Sequence, residues 1–183
     1  MESVEVKTFS YDELTEEQQE KVLEEHRYIN TEGGWWHEYL TDGHGEFFGK
    51  ELREIGIEYE QIYFDLGRGS YLYLDGGYIF NDRLFLKHAG YDLRKAESRA
   101  FIDSGLCIAS YHRSYGYTKN LIKCEYTEIA ELTKVLNDKL NEFLVQLHKE
   151  YQYATDDEAV IETIRANEFR FSIGRNDFIE INI

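Results

Sequence analysis

The chain has 183 residues, 42% apolar, 15% aromatic and 31% charged, enough to build one buried core in a single domain spanning residues 1–183, and this composition excludes a disordered chain. Its 36 acidic against 20 basic residues give a formal charge of −16, which opposes binding to nucleic acid, because affinity for a phosphate backbone comes largely from Lys and Arg displacing counterions. No run approaches the roughly 20 apolar residues of a membrane helix, and Glu2 and Glu5 do not fit a signal peptide.

In chain order, Val4 to Phe9 alternates as a short strand, and both Ser10-Tyr11-Asp12-Glu13 and Thr15-Glu16-Glu17-Gln18 have the form of a helix capping box. A helix is expected from one of them to about Tyr28, with Val22, His26 and Ile29 on one face and Leu23 beside them. Its other surface is acidic, with Glu16, Glu17, Glu20 and Glu24 among the carboxylates and only Lys21 and Arg27 as bases. From Trp35 to Ile55 the aromatic and aliphatic residues recur at helical intervals, broken near Asp42-Gly43-His44-Gly45, where glycine's backbone freedom disfavours continuation.

The period then changes to two. Gln61 to Leu66 and Ser70 to Asp75 flank Gly67-Arg68-Gly69, the pattern of a hairpin with a short glycine loop. With Arg68 at the tip, Ile62, Phe64, Leu72 and Leu74 share one face, and Tyr63, Asp65, Tyr71 and Tyr73 share the other. Asn81 to Ser98 reads as a weak helix or a pair of turns. Gly105 to Arg113 and Lys119 to Tyr126 form a second expected hairpin, with Cys107 opposite Cys124 and Ala109 opposite Ile122. Ile129, Leu132, Leu136, Leu140, Phe143, Leu147 and Tyr151 step three and four residues at a time, a long amphipathic helix. Thr155-Asp156-Asp157-Glu158 caps a shorter helix to about Ala166, and Phe169, Phe171, Ile179 and Ile181 alternate around Gly174-Arg175-Asn176 as a closing hairpin. Hairpins separated by helices predict an α+β fold, an antiparallel sheet with helices packed on one side. Proline is absent from the chain, so glycine must form the turns.

Chemical motifs are scarce. His37, Asp42 and His44 are metal-ligand types, but no H-E-x-x-H spacing accompanies them, and surface or loop histidines are the expectation. Gly43 to Gly49 matches neither a P-loop nor G-x-G-x-x-G, and no G-x-S-x-G elbow occurs. Cys107 and Cys124, two cysteines without a C-x-x-C pair, read as small core residues in a reducing cytoplasm. No catalytic residue, metal or cofactor is expected. The aromatic clusters stand out instead. Tyr63, Asp65, Arg68, Tyr71 and Tyr73 present amphipathic rings of the kind that anchor protein contacts. His112, Arg113, Tyr115 and Tyr117 occupy the second hairpin's turn, and if the two turns converge, these residues with Arg68 would grip a small anionic ligand.

Thr8 to Leu14 before an acidic helix, Trp35-Trp36, Glu51 to Ile57, Ile62 to Asp65 with Arg68-Gly69-Ser70-Tyr71, and Lys149 to Tyr153 running on to Ala166 to Phe171 together resemble a family of small acidic proteins encoded by bacteriophages and prophages, some of them labelled antitoxins. The resemblance covers most of the chain in the same order and departs from the family pattern by extra residues around Gly43-His44-Gly45. Its motifs are structural and carry no catalytic residue with them. It implies a bacterial host cytoplasm and a phage accessory role. The function expected from these readings together is non-enzymatic: an acidic, tyrosine-rich surface that binds and restrains a basic host protein, a defence factor or toxin. Sequestration of an anionic small molecule such as a signalling nucleotide is the alternative, and a hydrolase or metal enzyme built on His37, Asp42, His44 or His112 is the third reading.

Overall fold

In the computed structural model, which describes residues 7–33, 48–67, 70–112, 118–173 and 179–182, the helices are α1 (Glu16–His26), α2 (Phe48–Glu54), α3 (Asp82–His88), α4 (Ala96–Ser104), α5 (Ala130–Ala154) and α6 (Asp157–Ala166). The strands are β1 (Thr8–Phe9), β2 (Ile57–Glu58), β3 (Gln61–Asp65), β4 (Tyr71–Asp75), β5 (Tyr78–Ile79), β6 (Leu106–His112), β7 (Thr118–Cys124), β8 (Thr127–Glu128), β9 (Arg170–Ile173) and β10 (Ile179–Asn182). Every described strand pairing is antiparallel, and the fold is α+β. Among the described residues the strands form four small sheets, β1-β9-β10, β2-β5, β3-β4 and β6-β7-β8, rather than one continuous sheet. No helix among the described residues is long and apolar enough to cross a membrane.

The chain divides into two compact units, Met1–Trp35 with Lys149–Ile183 and Trp36–His148. In the first, both capping sequences are used. The Ser10 N–H and hydroxyl donate to the Glu13 carboxylate at 2.7 and 2.9 Å, heading a 3₁₀ turn at Tyr11–Glu13. The Thr15 N–H donates to Gln18 Oε1 at 3.0 Å while the Gln18 N–H donates to Thr15 Oγ1 at 3.4 Å, and α1 starts there. The reciprocal bonds satisfy amide groups that have no partner within a first turn. Val22 is buried with Tyr11, Leu14, Val160, Ile164 and Phe171, and the His26 ring meets Phe169 and Phe171 edge-on.

α6 is capped by Asp156, whose Oδ1 accepts the Glu158 N–H at 3.0 Å, and not by Thr155 as its sequence box suggests. The Thr155 hydroxyl is committed instead to the Tyr151 carbonyl at 2.9 Å, closing the end of α5. β9 lies between β1 and β10, with Phe171 opposite both Phe9 and Ile181.

The second unit has the larger core. On α5, Leu132, Leu136, Leu140, Phe143 and Leu147 are buried, as their spacing requires. Phe143 stacks on Phe48 of α2 with ring centroids 4.2 Å apart. The segment expected to be a weak helix or turns, Asn81 to Ser98, holds α3 and the start of α4, which runs on to Ser104; α3 is capped by the Asn81 side chain accepting the Leu84 N–H at 3.2 Å.

The β6–β7 hairpin corrects the expected register by one residue. Leu106, not Cys107, stands opposite Cys124, and Ile108 opposite Ile122. This pairing turns Leu106, Ile108 and Ile122 toward the core, burying larger side chains than the register that would turn Cys107 and Ala109 inward. Cys107 is accordingly exposed, which overturns its reading as a core residue; Cys124 is partly buried against the core.

Side chains join what backbone ladders do not. Asn120 of β7, fully buried, accepts the Leu74 N–H at 2.8 Å and donates to the Leu74 carbonyl at 2.9 Å, an amide group standing in for one residue of a neighbouring strand. Thr133 of α5 repeats the device on Ile122, its hydroxyl accepting the N–H at 2.9 Å and donating to the carbonyl at 3.4 Å. The β3-β4 sheet is thereby joined to β6-β7-β8, and the backbone groups of Leu74 and Ile122 find side-chain partners.

Candidate binding face

The β3–β4 hairpin is built as its alternation dictates. Ile62 pairs with Leu74, Tyr63 with Tyr73, Phe64 with Leu72 and Asp65 with Tyr71, a register symmetric about position 68. Ile62, Leu72 and Leu74 are buried and Phe64 packs against the same core. The other face carries Tyr63, Tyr71 and Tyr73 together. The Tyr63 and Tyr73 rings lie 5.2 Å apart at 17° and the Tyr71 and Tyr73 rings 6.0 Å apart at 28°, so Tyr73 is the middle of a three-ring stack. Aromatic pairs in such geometry contribute about 0.5–1.5 kcal/mol beyond area burial.

The cross-strand rows flanking the Tyr63–Tyr73 pair each carry a carboxylate. Asp65 is the cross-strand partner of Tyr71, and one of its oxygens accepts the Gly67 N–H at 2.7 Å. The Tyr63 hydroxyl donates to Gln61 Oε1 at 2.7 Å, and the cross-strand partner of Gln61 is Asp75. Asp65 and Asp75 are exposed, and Tyr63 is 43% exposed. Asp75 has the same parity in β4 as Tyr71 and Tyr73, the signal that places it on this face. No Lys or Arg occupies the outward positions of β3 or β4.

The structure thus brings Tyr63, Asp65, Tyr71 and Tyr73 onto one surface. Glu16, Glu17, Glu20 and Glu24 are exposed along α1, where Lys21 stands 3.6 Å from Glu17. Arg68, Arg113, Tyr115 and Tyr117 lie outside the described residues, as does the side chain of His112, whose backbone ends β6 opposite Thr118. His37, Asp42 and His44 also lie outside them. Among the described residues no group of three His, Cys, Asp or Glu side chains is placed to hold a metal ion.

One serine–histidine contact adjoins the hairpin, His148 Nε2 at 3.1 Å from Ser70 Oγ. The Ser70 hydroxyl already donates to the Gly67 carbonyl at 3.1 Å. With that hydroxyl proton committed, the Nε2–H tautomer of His148 donates to the serine, the reverse of the polarity by which a histidine activates a nucleophile. Nearby in sequence, the Tyr78 hydroxyl donates to Glu58, which also pairs with Arg53 at 3.4 Å. That hydrogen bond is the main cause of a Tyr78 pKa above the ordinary phenol value. Surface depressions along α6, lined by Glu158, Ile161, Glu162, Arg165 and Ala166, and along α5, lined by Asp138, Asn141, Glu142 and Val145, each carry two carboxylates among apolar lining atoms. Arg165 is engaged there by the Asp12 carboxylate.

Compared with known proteins, the chain matches no family model, no curated protein and no solved structure.

Proposed function

We propose that this chain is a non-enzymatic binding protein that docks on and restrains a basic host protein, with the outer face of the β3–β4 hairpin as its contact surface. The observation that carries the reading is the three-tyrosine stack bracketed by Asp65 and Asp75. Rigid aromatic rings give contact area at small conformational cost, and surrounding carboxylates select a partner of opposite charge. The overall charge of −16 supports the same choice, because it speeds encounter with basic surfaces and repels nucleic acid. The sequence resemblance to phage-encoded acidic proteins supports reading that partner as a defence factor or toxin of a bacterial cytoplasm, held inactive.

Affinity capture from bacterial lysate tests this. Tagged protein and a Tyr63→Ser, Tyr71→Ser variant of the same charge are compared at low and moderate salt. A basic protein enriched by the parent, weakened by salt and lost with the variant is the expected result. Recovery of no basic protein at either salt, or of the same proteins by both forms, overturns the proposal.

A further inference from the structure

Resting on the binding role proposed above, the geometry points to arginine as the side chain this face takes: two guanidinium groups four residues apart on one extended segment of the partner, one at each end of the tyrosine stack. Because Tyr73 occupies the middle of the stack, Tyr63 and Tyr71 are its end rings. The cross-strand rows on either side of the Tyr63–Tyr73 pair each carry a carboxylate. Asp65 is paired across the strands with Tyr71, and Asp75 is paired with Gln61, to which the Tyr63 hydroxyl is tied.

An aromatic face attracts a cation through its quadrupole, and a neighbouring carboxylate adds charge and hydrogen-bond acceptors. The combination favours guanidinium over ammonium. A guanidinium is planar and weakly hydrated, so it lies flat on a ring while its edge donors reach sideways to the carboxylate; a lysine ammonium holds its water more firmly and has no flat face to stack. Nucleobases also stack on tyrosines, but a nucleic-acid strand would bring its phosphates against Asp65 and Asp75 with no Lys or Arg on the outward positions of either strand.

The spacing follows from the strand. Gln61 and Asp65 are four residues apart on β3, about 13 Å at roughly 3.3 Å per residue. In an extended segment, side chains at i and i+4 point the same way at the same separation. On a helix that pair is separated by only about 6 Å along the axis, and in a strand an i, i+3 pair faces opposite sides.

Three Gly/Ser-spaced peptides test the assignment: two arginines four apart, two lysines four apart, and two arginines three apart. Each is titrated into the isotope-labelled full chain and followed by backbone amide resonances. The first peptide is expected to move Tyr63, Tyr71 and Tyr73 before Glu16, Glu17, Glu20 and Glu24 of α1, which carry charge without a ring stack and serve as the internal control. It should bind roughly two- to fivefold more tightly than the other two, the size expected of an exposed cation–ring contact. Tyr63→Leu with Tyr71→Leu should bring it down to the lysine peptide's affinity. Asp75→Asn, an exposed change that leaves the core untouched, should weaken it at least twofold.

Equal affinity for the arginine and lysine peptides, first shifts on α1, or indifference to both variants overturns the assignment. If these occur while the lysate still yields a tyrosine-dependent basic partner, the arginine inference falls and the binding role stands. If the lysate also yields none, both fall.

Discussion

Asn120 holds Leu74 by both of its backbone groups, the side-chain oxygen accepting the N–H at 2.8 Å and the side-chain nitrogen donating to the carbonyl at 2.9 Å. Both residues are fully buried. The pair fixes β4, which carries two of the three stacked tyrosines, to β7, so the binding face is positioned by an amide side chain where no backbone ladder runs.

Asn120→Leu keeps the branched four-heavy-atom outline of asparagine, with bulkier methyl ends, and removes both bonds. The Leu74 N–H is then orphaned, while its carbonyl retains the Ser110 hydroxyl at 3.3 Å. A buried amide left without a partner costs about 1–3 kcal/mol, and the lost bonds add to it, so the expected destabilisation is about 2–4 kcal/mol. Ser110→Ala should cost less than about 1 kcal/mol. Urea unfolding decides it, with a lowered midpoint at unchanged slope for Asn120→Leu; a midpoint equal to the parent's would show that the amide bonds contribute nothing net.

The hairpin that bears the tyrosines was legible in the sequence because Gly67-Arg68-Gly69 is symmetric between two alternating runs, leaving one register that buries Ile62, Phe64, Leu72 and Leu74 together. The capping boxes and the long apolar stripe of α5 are likewise local signals. The β6–β7 register was not legible, because Leu106 and Ile108 on one parity and Cys107 and Ala109 on the other are all acceptable inward residues. The choice between them is made at a distance, by core packing and by Asn120 reaching a residue 46 positions away. A buried asparagine in a strand carries no local mark that names its partner. Asp75 could be placed on the binding face by parity alone, whereas the nearly parallel ring planes follow from packing.

Two glycines separate conformational strain from steric exclusion. Gly56 has φ +87° and a Cβ there would lie 2.5 Å from the Asn81 carbonyl oxygen, a close approach created because the Gly56 carbonyl accepts the Phe80 and Asn81 N–H groups at 3.0 and 3.3 Å. Gly90 has φ +82° with nothing within 4 Å of the same position. Gly90→Ala therefore bears only the left-handed backbone penalty, about 1–2 kcal/mol. Gly56→Ala must also shift backbone and is expected to lose about 3 kcal/mol or more. Thermal unfolding of the two variants should rank them in that order, and equal losses would mean that Asn81 gives way freely.

Acid should weaken the unit containing α1 and α6 through Asp12 and Glu13. The Arg165 hydrogen bond holds the Asp12 carboxyl below its ordinary value, and the Ser10 backbone and hydroxyl bonds do the same for Glu13. Because both values are depressed in the folded state, the stabilisation is present above the unfolded carboxylate range near pH 4 and fades as pH falls through the lower folded values. Asp12→Asn with Glu13→Gln should flatten the acid limb of a melting-temperature profile between pH 2.5 and 7, with the curves converging at the acid end. Parallel curves across that range would show that neither carboxylate contributes.

The two cysteines should behave independently. Cys107 pairs with Lys123 and Cys124 with Leu106, so the two occupy adjacent cross-strand pairs and their side chains leave opposite faces of the hairpin. A disulfide needs Cβ atoms about 3.5–4.5 Å apart with converging vectors, which this register forbids. In the folded protein, iodoacetamide is expected to label exposed Cys107 at least about tenfold faster than half-buried Cys124, a difference that should vanish in urea. Oxidised glutathione should add a mixed disulfide at Cys107 with no loss of two hydrogens from the monomer. An intramolecular bridge found by mass spectrometry under native conditions would require the two pairs to slip by one residue, exposing Leu106 and Ile108 and undoing the Asn120 contact with Leu74.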